Sequence, residues 1–306
     1  MTKHISRLVL AFSLLGFSLS TIAQNIERVD PPFWWIGMQN DTLELLIKGT
    51  DLSDDVTIKS ENVILLSVEL NDNAHYLFVQ LYISKTAEPQ NLKIYSGKNH
   101  VNYELKARSD QNKSLMGLEP SDLVYLITPD RFANGNEKND VVKGMNEIEV
   151  NRFEPYGRHG GDIAGIRSKI DYLYDLGVTA LWINPLLEND QPKESYHGYA
   201  ITDHYLIDPR FGTNEEYRAF IDACHAKGIK VIMDVVYNHF GNEHYLMKDM
   251  PQDDFVNEWP EFTQTNYRAT SLHDPYASEK DKTLMTDGWF DKHMPDINQS
   301  NTHIAN

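Results

Sequence analysis

Between residues 25 and 108, the apolar positions fall into short runs that are typical of strands. The runs are rich in bulky and β-branched residues and lie at residues 43–47, 56–58, 63–68, 76–83 and 92–95. Turn-forming residues such as Asn71-Asp72-Asn73 separate them, and no helical period of useful length appears. The pattern predicts a β-sandwich over residues 24–108, followed by a polar linker at residues 109–121.

After residue 122, the pattern changes to strands that alternate with helices. Apolar runs at residues 123–127, 179–186 and 230–236 predict three strands, and the third is continuous enough to be buried on both faces of a parallel sheet. A helix is expected over residues 162–176, and Gly177 follows where this helix should end. Its predicted apolar face consists of Ile163, Ile166, Ile170 and Leu173.

A second helix is expected between the second and third strands. Thr213 and Glu216 form a capping box at its start, and Gly228 follows its end. Its predicted apolar face consists of Tyr217, Phe220, Ile221 and Cys224. The order of elements after residue 122 is therefore βαβαβ.

The βαβαβ order fits two parallel-sheet architectures, a doubly wound open sheet and an eight-fold barrel. The pair Gly160-Gly161 lacks the G-x-G-x-x-G spacing of a dinucleotide-binding loop. Long loops rich in Asp, Asn, His and aromatic residues follow the carboxyl ends of the predicted strands, where barrel enzymes form their active sites. We therefore predict that residues 122–306 form the first part of a TIM (β/α)8 barrel, incomplete and with about three strands.

The composition narrows the choice of function. The chain has 306 residues, of which 41% are hydrophobic and 24% charged, as is typical of a globular protein. Its formal net charge of −17 disfavours nucleic acid and anionic lipid as partners, because an acidic surface repels both. The single cysteine, Cys224, excludes an internal disulfide and a metal site built from several thiolates.

The first 23 residues have the pattern of a secretory signal peptide. Lys3 and Arg7 precede an apolar run at residues 8–19, and the segment ends in Thr21-Ile22-Ala23. This run is too short to span a bilayer, and no cysteine follows that would carry a lipid. We expect cleavage after Ala23 and a secreted or periplasmic protein without a membrane span. A retained membrane anchor is the alternative.

Two polar clusters follow the ends of predicted strands and suit a polyhydroxylated ligand. The third strand leads into Asn238 and His239, whose amide and imidazole can bond polar ligand atoms. The loop after the second strand contains His197 and Tyr199. A tyrosine ring can stack on the apolar face of a sugar while a histidine binds its hydroxyls. Each cluster alone also fits ordinary capping or packing.

A third cluster is rich in oxygen donors. Residues 134–140 have the sequence Asn-Gly-Asn-Glu-Lys-Asn-Asp, and Gly160-Gly161-Asp162 follow downstream. Calcium takes about 6–8 oxygen ligands, and this segment supplies them without the spacing of an EF-hand. An ordinary surface turn is the alternative. Zinc is disfavoured, because His239 and His244 lack the i, i+4 spacing that places two histidines on one helix face.

In combination, these clusters resemble the α-amylase family of glycoside hydrolases (family 13), particularly its neopullulanase and cyclomaltodextrinase branch. Residues 234–239 are similar to the family's third-strand motif, and residues 196–199 to its substrate-stacking loop. Residues 294–298 are similar to the short motif before its fourth strand. Residues 29–38 resemble the start of the β-sandwich that precedes the barrel in this branch. The resemblance extends over nearly all of the chain after residue 23.

The resemblance implies a role for each cluster. It assigns His197, Tyr199 and His239 to the subsite that binds the sugar whose bond is cleaved, and Asp234 to a position that braces this site. The calcium ligands that it implies are Asn134, Asn136, Asn139, Asp140, Gly160 and Asp162. It also implies an irregular insertion subdomain at residues 240–290 and α-glucan oligosaccharides or cyclodextrins as substrates. It leaves open a homodimer formed through the N-terminal β-sandwich.

One departure from the family pattern concerns the catalytic residues. The family's nucleophile, its acid/base glutamate and its second aspartate lie in strands four, five and seven, and no G-x-R-x-D motif follows residues 294–298. We therefore expect no catalytic residue in this chain, which we interpret as an inactive N-terminal fragment of a retaining α-glucan hydrolase. Such enzymes use two carboxylates about 5–5.5 Å apart. A non-catalytic α-glucan-binding protein with a degenerate barrel and an unrelated barrel metallohydrolase are the alternatives.

Overall fold

A computed structural model describes residues 25–71, 73–108 and 117–305 of the chain. The expected signal peptide at residues 1–23 and most of the expected linker at residues 109–121 lie outside them. Eight strands lie between residues 25 and 106. In chain order they are β1 (Asn25–Asp30), β2 (Phe33–Trp35), β3 (Thr42–Thr50), β4 (Val56–Ile58), β5 (Val63–Leu70), β6 (Tyr76–Ile83), β7 (Gln90–Ser96) and β8 (Asn99–Lys106).

These eight strands form two four-stranded sheets around one hydrophobic core. The first sheet has the order β1-β3-β6-β5 and is antiparallel throughout. The second has the order β2-β8-β7-β4, in which only β2 and β8 run parallel. Alternate residues of β3 point inwards, so Leu45 and Ile47 are buried, and Leu92 and Leu105 of the second sheet belong to the same core. We call residues 25–106 the N-terminal β-domain.

A parallel sheet lies at the centre of residues 117–305, which we call the C-terminal α/β segment. Its strands in chain order are β9 (Val124–Ile127), β10 (Ala180–Ile183), β11 (Leu187–Glu188), β12 (Asp203–Ile207) and β13 (Lys230–Met233). Three of them form the parallel sheet, in the order β13-β10-β9. The short strands β11 and β12 pair antiparallel to one another.

Short helices connect and follow these strands. They are α1 (Pro129–Phe132), α2 (Ile163–Arg167), α3 (Ile170–Asp175), α4 (Asn214–Ala226), α5 (Tyr245–Lys248), α6 (Glu279–Thr286) and α7 (Thr302–Ala305), with 3-10 turns at Ser195–His197, Asp253–Phe255 and Ala269–Leu272. The predicted capping box of Thr213 and Glu216 is present at the start of α4. No helix in the described ranges combines the length and the apolar character that crossing a membrane requires.

The single helix expected over residues 162–176 is in fact two helices, α2 and α3. All four residues of its predicted apolar face are buried, but the helix breaks at Ser168 and Lys169. The Ser168 hydroxyl donates to the carbonyl of Gly165 at 2.7 Å, and Lys169 has φ −111° and ψ 9°. A serine hydroxyl competes with the backbone for helical carbonyls, which explains the interruption.

The strand expected at residues 230–236 is not buried on both faces. It ends at Met233, which is 39% exposed, and its other residues are half-buried. The reason is its position, because β13 pairs with β10 alone and forms an edge of the parallel sheet. Leu126 of β9 and Trp182 of β10 are likewise exposed. One face of this sheet is therefore open among the residues that the structure describes.

The N-terminal β-domain packs against the C-terminal α/β segment through an apolar cluster. Phe78 of β6 lies in one buried cluster with Phe240, Leu246 and Phe255. It also stacks on His303, with 3.7 Å between the ring centroids. Polar contacts between the two parts join Arg28 with Asp203, Glu44 with His303 and Asn73 with Asp249. The two parts therefore share both an apolar and a charged interface.

Candidate functional site

The four predicted sugar-binding residues lie beyond the carboxyl ends of β10 and β13. Asp234 directly follows β13, and His239 lies a few residues further on. His197 ends a 3-10 turn in the loop between β11 and β12, and Tyr199 follows in the same loop. Neighbouring parallel strands end at the same edge of a sheet, which brings the two loops together.

Gly198 allows the tight turn between His197 and Tyr199. Its φ is +80°, which residues with a side chain rarely adopt. A Cβ atom at this position would lie 2.1 Å from the carbonyl oxygen of Pro185. The His-Gly-Tyr sequence is thus explained by the backbone, because only glycine fits here.

Tyr199 forms hydrogen bonds with the other three predicted residues. Its backbone N–H donates to Nδ1 of His197 at 2.9 Å, and its carbonyl accepts from Nε2 of His239 at 3.0 Å. Its hydroxyl donates to Oδ2 of Asp234 at 3.0 Å. The structure therefore brings all four residues into one hydrogen-bonded group, which we call the Tyr199 cluster.

These contacts fix the tautomers of the two histidines. His197 accepts at Nδ1, so its neutral ring carries the proton on Nε2, which has no acceptor among the described residues. His239 donates from Nε2 and is only 4% exposed. Burial lowers the pKa of each ring to about 4, so both are neutral near pH 7. The cluster thus offers a ligand a neutral ring with a fixed donor.

Asp234 is held by an aromatic residue that the sequence reasoning missed. Its Oδ2 accepts from the indole N–H of Trp182 at 3.0 Å as well as from Tyr199. Its Oδ1 has no hydrogen-bond partner within the described part of the chain. Trp182 lies in β10 on the open face of the sheet. The one sequence signal for its role was an aromatic residue inside a predicted strand.

Two further residues beside His239 were also not singled out as part of the site. Phe290 stacks on the His239 ring, with 5.0 Å between centroids. Asp296 is buried and accepts from Asn257 at 2.8 Å and from Asn238 at 3.2 Å. Burial raises the pKa of Asp296 to about 6, because it disfavours the charged carboxylate. Its amide partners hold it as a support for the site.

The oxygen-rich residues also come together, in the loop before α2. Asn134 donates to Oδ1 of Asp140 at 2.7 Å. Gly160 lies so close that a Cβ atom on it would be 2.8 Å from the same oxygen. Oδ1 of Asn139 is buried without a hydrogen-bond partner among the described residues. An unpaired buried oxygen of this kind is what a cation would satisfy.

Asp162 also accepts backbone hydrogen bonds at the start of α2. It is fully buried, and its Oδ1 accepts from the backbone N–H of Gly135 at 3.0 Å and of Gly165 at 2.6 Å. Its Oδ2 accepts from the N–H of Asn136 at 2.8 Å. Asp162 is thereby the N-cap of α2 and links this helix to the loop.

The ligand types in this cluster suit calcium better than a transition metal. No group of three or more His, Cys, Asp or Glu side chains arranged for a metal occurs in residues 25–71, 73–108 and 117–305. The six predicted calcium ligands include only two carboxylates, those of Asp140 and Asp162, with amide oxygens beside them. Calcium accepts amide and carbonyl oxygens as ligands, so the residues present fit it.

Comparison with known proteins identifies the family. A family model described as the catalytic domain of α-amylase matches residues 126–302, which is more than half of the 306 residues. The chain belongs to the α-amylase family. A second model, described as the N-terminal domain of cyclomaltodextrinase, matches residues 28–109 of this α-amylase family member. An N-terminal domain and part of a catalytic domain are therefore both present.

Individual relatives are similar to parts of this α-amylase family chain. Cyclomaltodextrinase from Thermoanaerobacter pseudethanolicus is 37% identical over 154 residues, or 45% of this chain and 25% of the relative. Neopullulanase 2 from Thermoactinomyces vulgaris is 32% identical over 164 residues, or 50% and 27%. A solved Anoxybacillus α-amylase is 33% identical and covers 60% of this chain and 35% of its own, with a TM-score of 0.48. The chain spans about a quarter of the length of these curated relatives.

Proposed function

We propose that the protein is a retaining hydrolase of α-glucans, of the neopullulanase and cyclomaltodextrinase type, and that the Tyr199 cluster binds one sugar ring of the substrate. The family membership and the names of the relatives support the reaction class. The observation that carries the binding role is the hydrogen-bonded group in which Tyr199 joins His197, Asp234 and His239.

The chemistry of the Tyr199 cluster suits a sugar. The Nε2–H of His197 is a free donor for a hydroxyl, and Oδ1 of Asp234 is a free acceptor, within the described residues. The ring of Tyr199 offers an apolar face between them. None of these groups attacks the glycosidic bond in this proposal. They orient the ring and bind it more tightly as it becomes oxocarbenium-like.

Calorimetric titration of the 306-residue chain with maltoheptaose tests the binding role. We expect Tyr199→Ala to weaken binding by about ten- to a hundredfold, since it removes a stacking surface and a hydroxyl worth about 1–3 kcal/mol together. Tyr276→Ala is the matched control, because Tyr276 is 93% exposed and lies outside the cluster. Equal affinities of wild type and Tyr199→Ala, with native circular dichroism, would refute the role.

We also propose that the catalytic carboxylates of this hydrolase lie outside these 306 residues, which contain no G-x-R-x-D motif after residues 294–298. The 306-residue chain alone would then bind glucan without cleaving it. The same preparation can be assayed for reducing sugar released from soluble starch and from a cyclodextrin. We expect no turnover above a mock-purified control. Turnover that His239→Ala abolishes would contradict this part of the proposal.

Calcium and export complete the proposal. The calcium ligands would be Asn134, Asn136, Asn139, Asp140, Gly160 and Asp162, and the unpaired oxygen of Asn139 supports them.

Export is supported by the N-terminal pattern and by a relative named periplasmic α-amylase from Escherichia coli, 31% identical over 192 residues. A relative from Bacillus subtilis is named intracellular maltogenic amylase. Amino-terminal sequencing of the periplasmic or secreted protein decides, and export predicts a first residue of Gln24.

A further inference from the structure

Arg28 of β1 forms an ion pair with Asp203 across the interface between the N-terminal β-domain and the C-terminal α/β segment. Nη1 of Arg28 lies 2.6 Å from Oδ2 of Asp203, and Nη2 lies 3.1 Å from Oδ1. The two residues are 175 positions apart in the sequence. Asp203 is only 5% exposed, so the ion pair lies at a buried position of the interface. A bidentate pair of this kind fixes the relative orientation of the two side chains as well as their distance.

Strand β1 also contacts a second region of the C-terminal α/β segment. Nε of Arg28 donates to Oδ2 of Asp30 at 2.5 Å, and the hydroxyl of Tyr245 donates to the same oxygen at 2.5 Å. The guanidinium carbon of Arg28 lies 4.2 Å from the centroid of the Tyr245 ring. Arg28 therefore contacts both the strand that begins at Asp203 and the helix that begins at Tyr245.

These two segments directly follow the loops that contain Tyr199 and His239, and the loops are bonded to each other. The carbonyl of Tyr199 accepts from His239, and the carbonyl of Ile201 accepts from the N–H of Gly241 at 2.8 Å. His204 donates to the carbonyl of Val236 at 3.2 Å. A shift of either segment would thus change the distance between Tyr199 and His239.

We propose that Arg28 is a positioning residue for the sugar-binding site, through which the N-terminal β-domain holds the loops of Tyr199 and His239 at their working distance. This inference rests on the proposed function for its consequence on sugar binding. The holding contact itself is independent of that function, because it concerns only how the two segments are kept together.

The test removes both charges of the ion pair, so that neither remains buried without a partner. The double variant Arg28→Met, Asp203→Leu and the single variant Arg28→Lys are compared with the wild-type 306-residue chain. Arg28→Lys keeps the charge but cannot form the two-pronged pair, and it serves where the double variant folds poorly. Glu44→Ala is the control, because Glu44 also bonds across the interface, to His303 of α7, away from both segments.

Two measurements are made on each variant. Hydrogen exchange should accelerate about tenfold at the amides of Gly241 and Leu246, which donate to Ile201 and His244 respectively. Exchange at the amide of Tyr217 in α4 should stay unchanged. Affinity for maltoheptaose should fall about tenfold, as is common for coupling between two sites. Glu44→Ala should change neither quantity.

The outcomes separate the holding contact from the proposed function. Unchanged exchange at Gly241 and Leu246 overturns the inference, whatever the binding result. Accelerated exchange with unchanged affinity, or an equal effect of Glu44→Ala, also overturns it. If the wild type does not bind maltoheptaose, the proposed sugar-binding role fails, and the exchange data alone then decide whether Arg28 holds these segments.

Discussion

Two of the three hydrogen bonds that join the Tyr199 cluster use the main chain of Tyr199. The N–H that donates to His197 and the carbonyl that accepts from His239 remain in any variant at this position except proline. Only the ring and the hydroxyl bond to Asp234 depend on the side chain. Substitutions at residue 199 therefore report on sugar stacking and on Asp234, while the two histidines keep their tautomers.

A second pair of histidines lies buried next to the interface. Nε2 of His244 lies 3.4 Å from Nδ1 of His204, and Nε2 of His204 donates to the carbonyl of Val236. Nδ1 of His244 accepts from the N–H of Leu246 at 3.1 Å. Burial lowers the pKa of both rings, and the nearby charge of Arg28 acts in the same direction. Both histidines are therefore neutral in the folded protein.

This pair predicts a loss of stability on acidification. The unfolded chain takes up protons at its ordinary histidine pKa of about 6.5, whereas the folded chain does not until the pH is lower. The free energy of unfolding should thus be greatest above about pH 6.5 and fall as the pH decreases below that value. His244→Asn, which keeps an acceptor for Leu246 but cannot be protonated, should give a flatter curve.

Urea unfolding between pH 8 and pH 4.5 measures this difference. Other groups, including Asp296 with its raised pKa, titrate in both proteins and cancel in the comparison of wild type with variant. Parallel curves for wild type and His244→Asn would show that the buried pair does not contribute.

At the scale of single elements, α2 depends on its first contact. The helix has only five residues, from Ile163 to Arg167, and isolated helices of this length are not stable. Asp162 accepts three backbone N–H groups at its start, from Gly135, Asn136 and Gly165. The carboxylate of Asp162 therefore stabilises both the loop and the helix, with or without an ion.

Two variants separate the cap from the calcium site. Asp162→Ala should lower the free energy of unfolding by about 1–3 kcal/mol even in the presence of EGTA, since buried N–H groups lose their acceptor. Asp140→Ala should instead weaken calcium binding, measured by calorimetry, with a smaller cost in EGTA. Equal costs of both variants in EGTA would argue against this division, and undiminished calcium affinity in the double variant would place the ion elsewhere.

The elements show how far hydrophobic patterns alone reach. Tyr76–Ile83 and Val56–Ile58 match the predicted strands, because their apolar runs are bounded by clear turn residues. Strand β8, Asn99–Lys106, was missed since polar residues alternate with its buried Tyr103 and Leu105. The break at Ser168 was also missed, because a hydroxyl that bonds a carbonyl leaves the apolar period intact.

Long-range contacts of the site are the part that the sequence did not predict. The resemblance to the family placed His197 and Tyr199 near His239, but Trp182 and Phe290 contact the site from other elements. The pairing of Arg28 with Asp203 depends on how the two parts of the molecule pack, and no local pattern encodes it. Spacing along the chain predicts neighbours within a loop and little beyond it.

At the scale of the whole molecule, Phe78 connects the two parts. It is 3% exposed, lies 6.3 Å from the ring of Phe255 and stacks on His303, all across the interface. A residue in such a position couples the unfolding of one part to that of the other. The long-range polar contacts of Arg28, Glu44 and Asn73 act in the same direction.

Phe78→Ala should uncouple the two parts. We expect a loss of about 3–5 kcal/mol in the free energy of unfolding, as for other buried phenylalanines. We also expect two thermal transitions in the variant and a single one in the wild type. Phe153→Ala, at a position that is 98% exposed, should change the free energy by less than about 0.5 kcal/mol. A single unshifted transition in Phe78→Ala, followed by calorimetry, would mean that the parts do not depend on this contact.

The reactivity of Cys224 can report local unfolding of the protein. It is the single cysteine of the chain, fully buried on α4, and burial raises the pKa of its thiol to about 12. Thiol reagents react with the exposed thiolate, so labelling requires that α4 first leave the core. The rate at which this one sulfur is labelled therefore measures how often the C-terminal α/β segment unfolds locally around α4, without any engineered probe. Added maltoheptaose or calcium should slow that rate in proportion to the stability that each ligand confers.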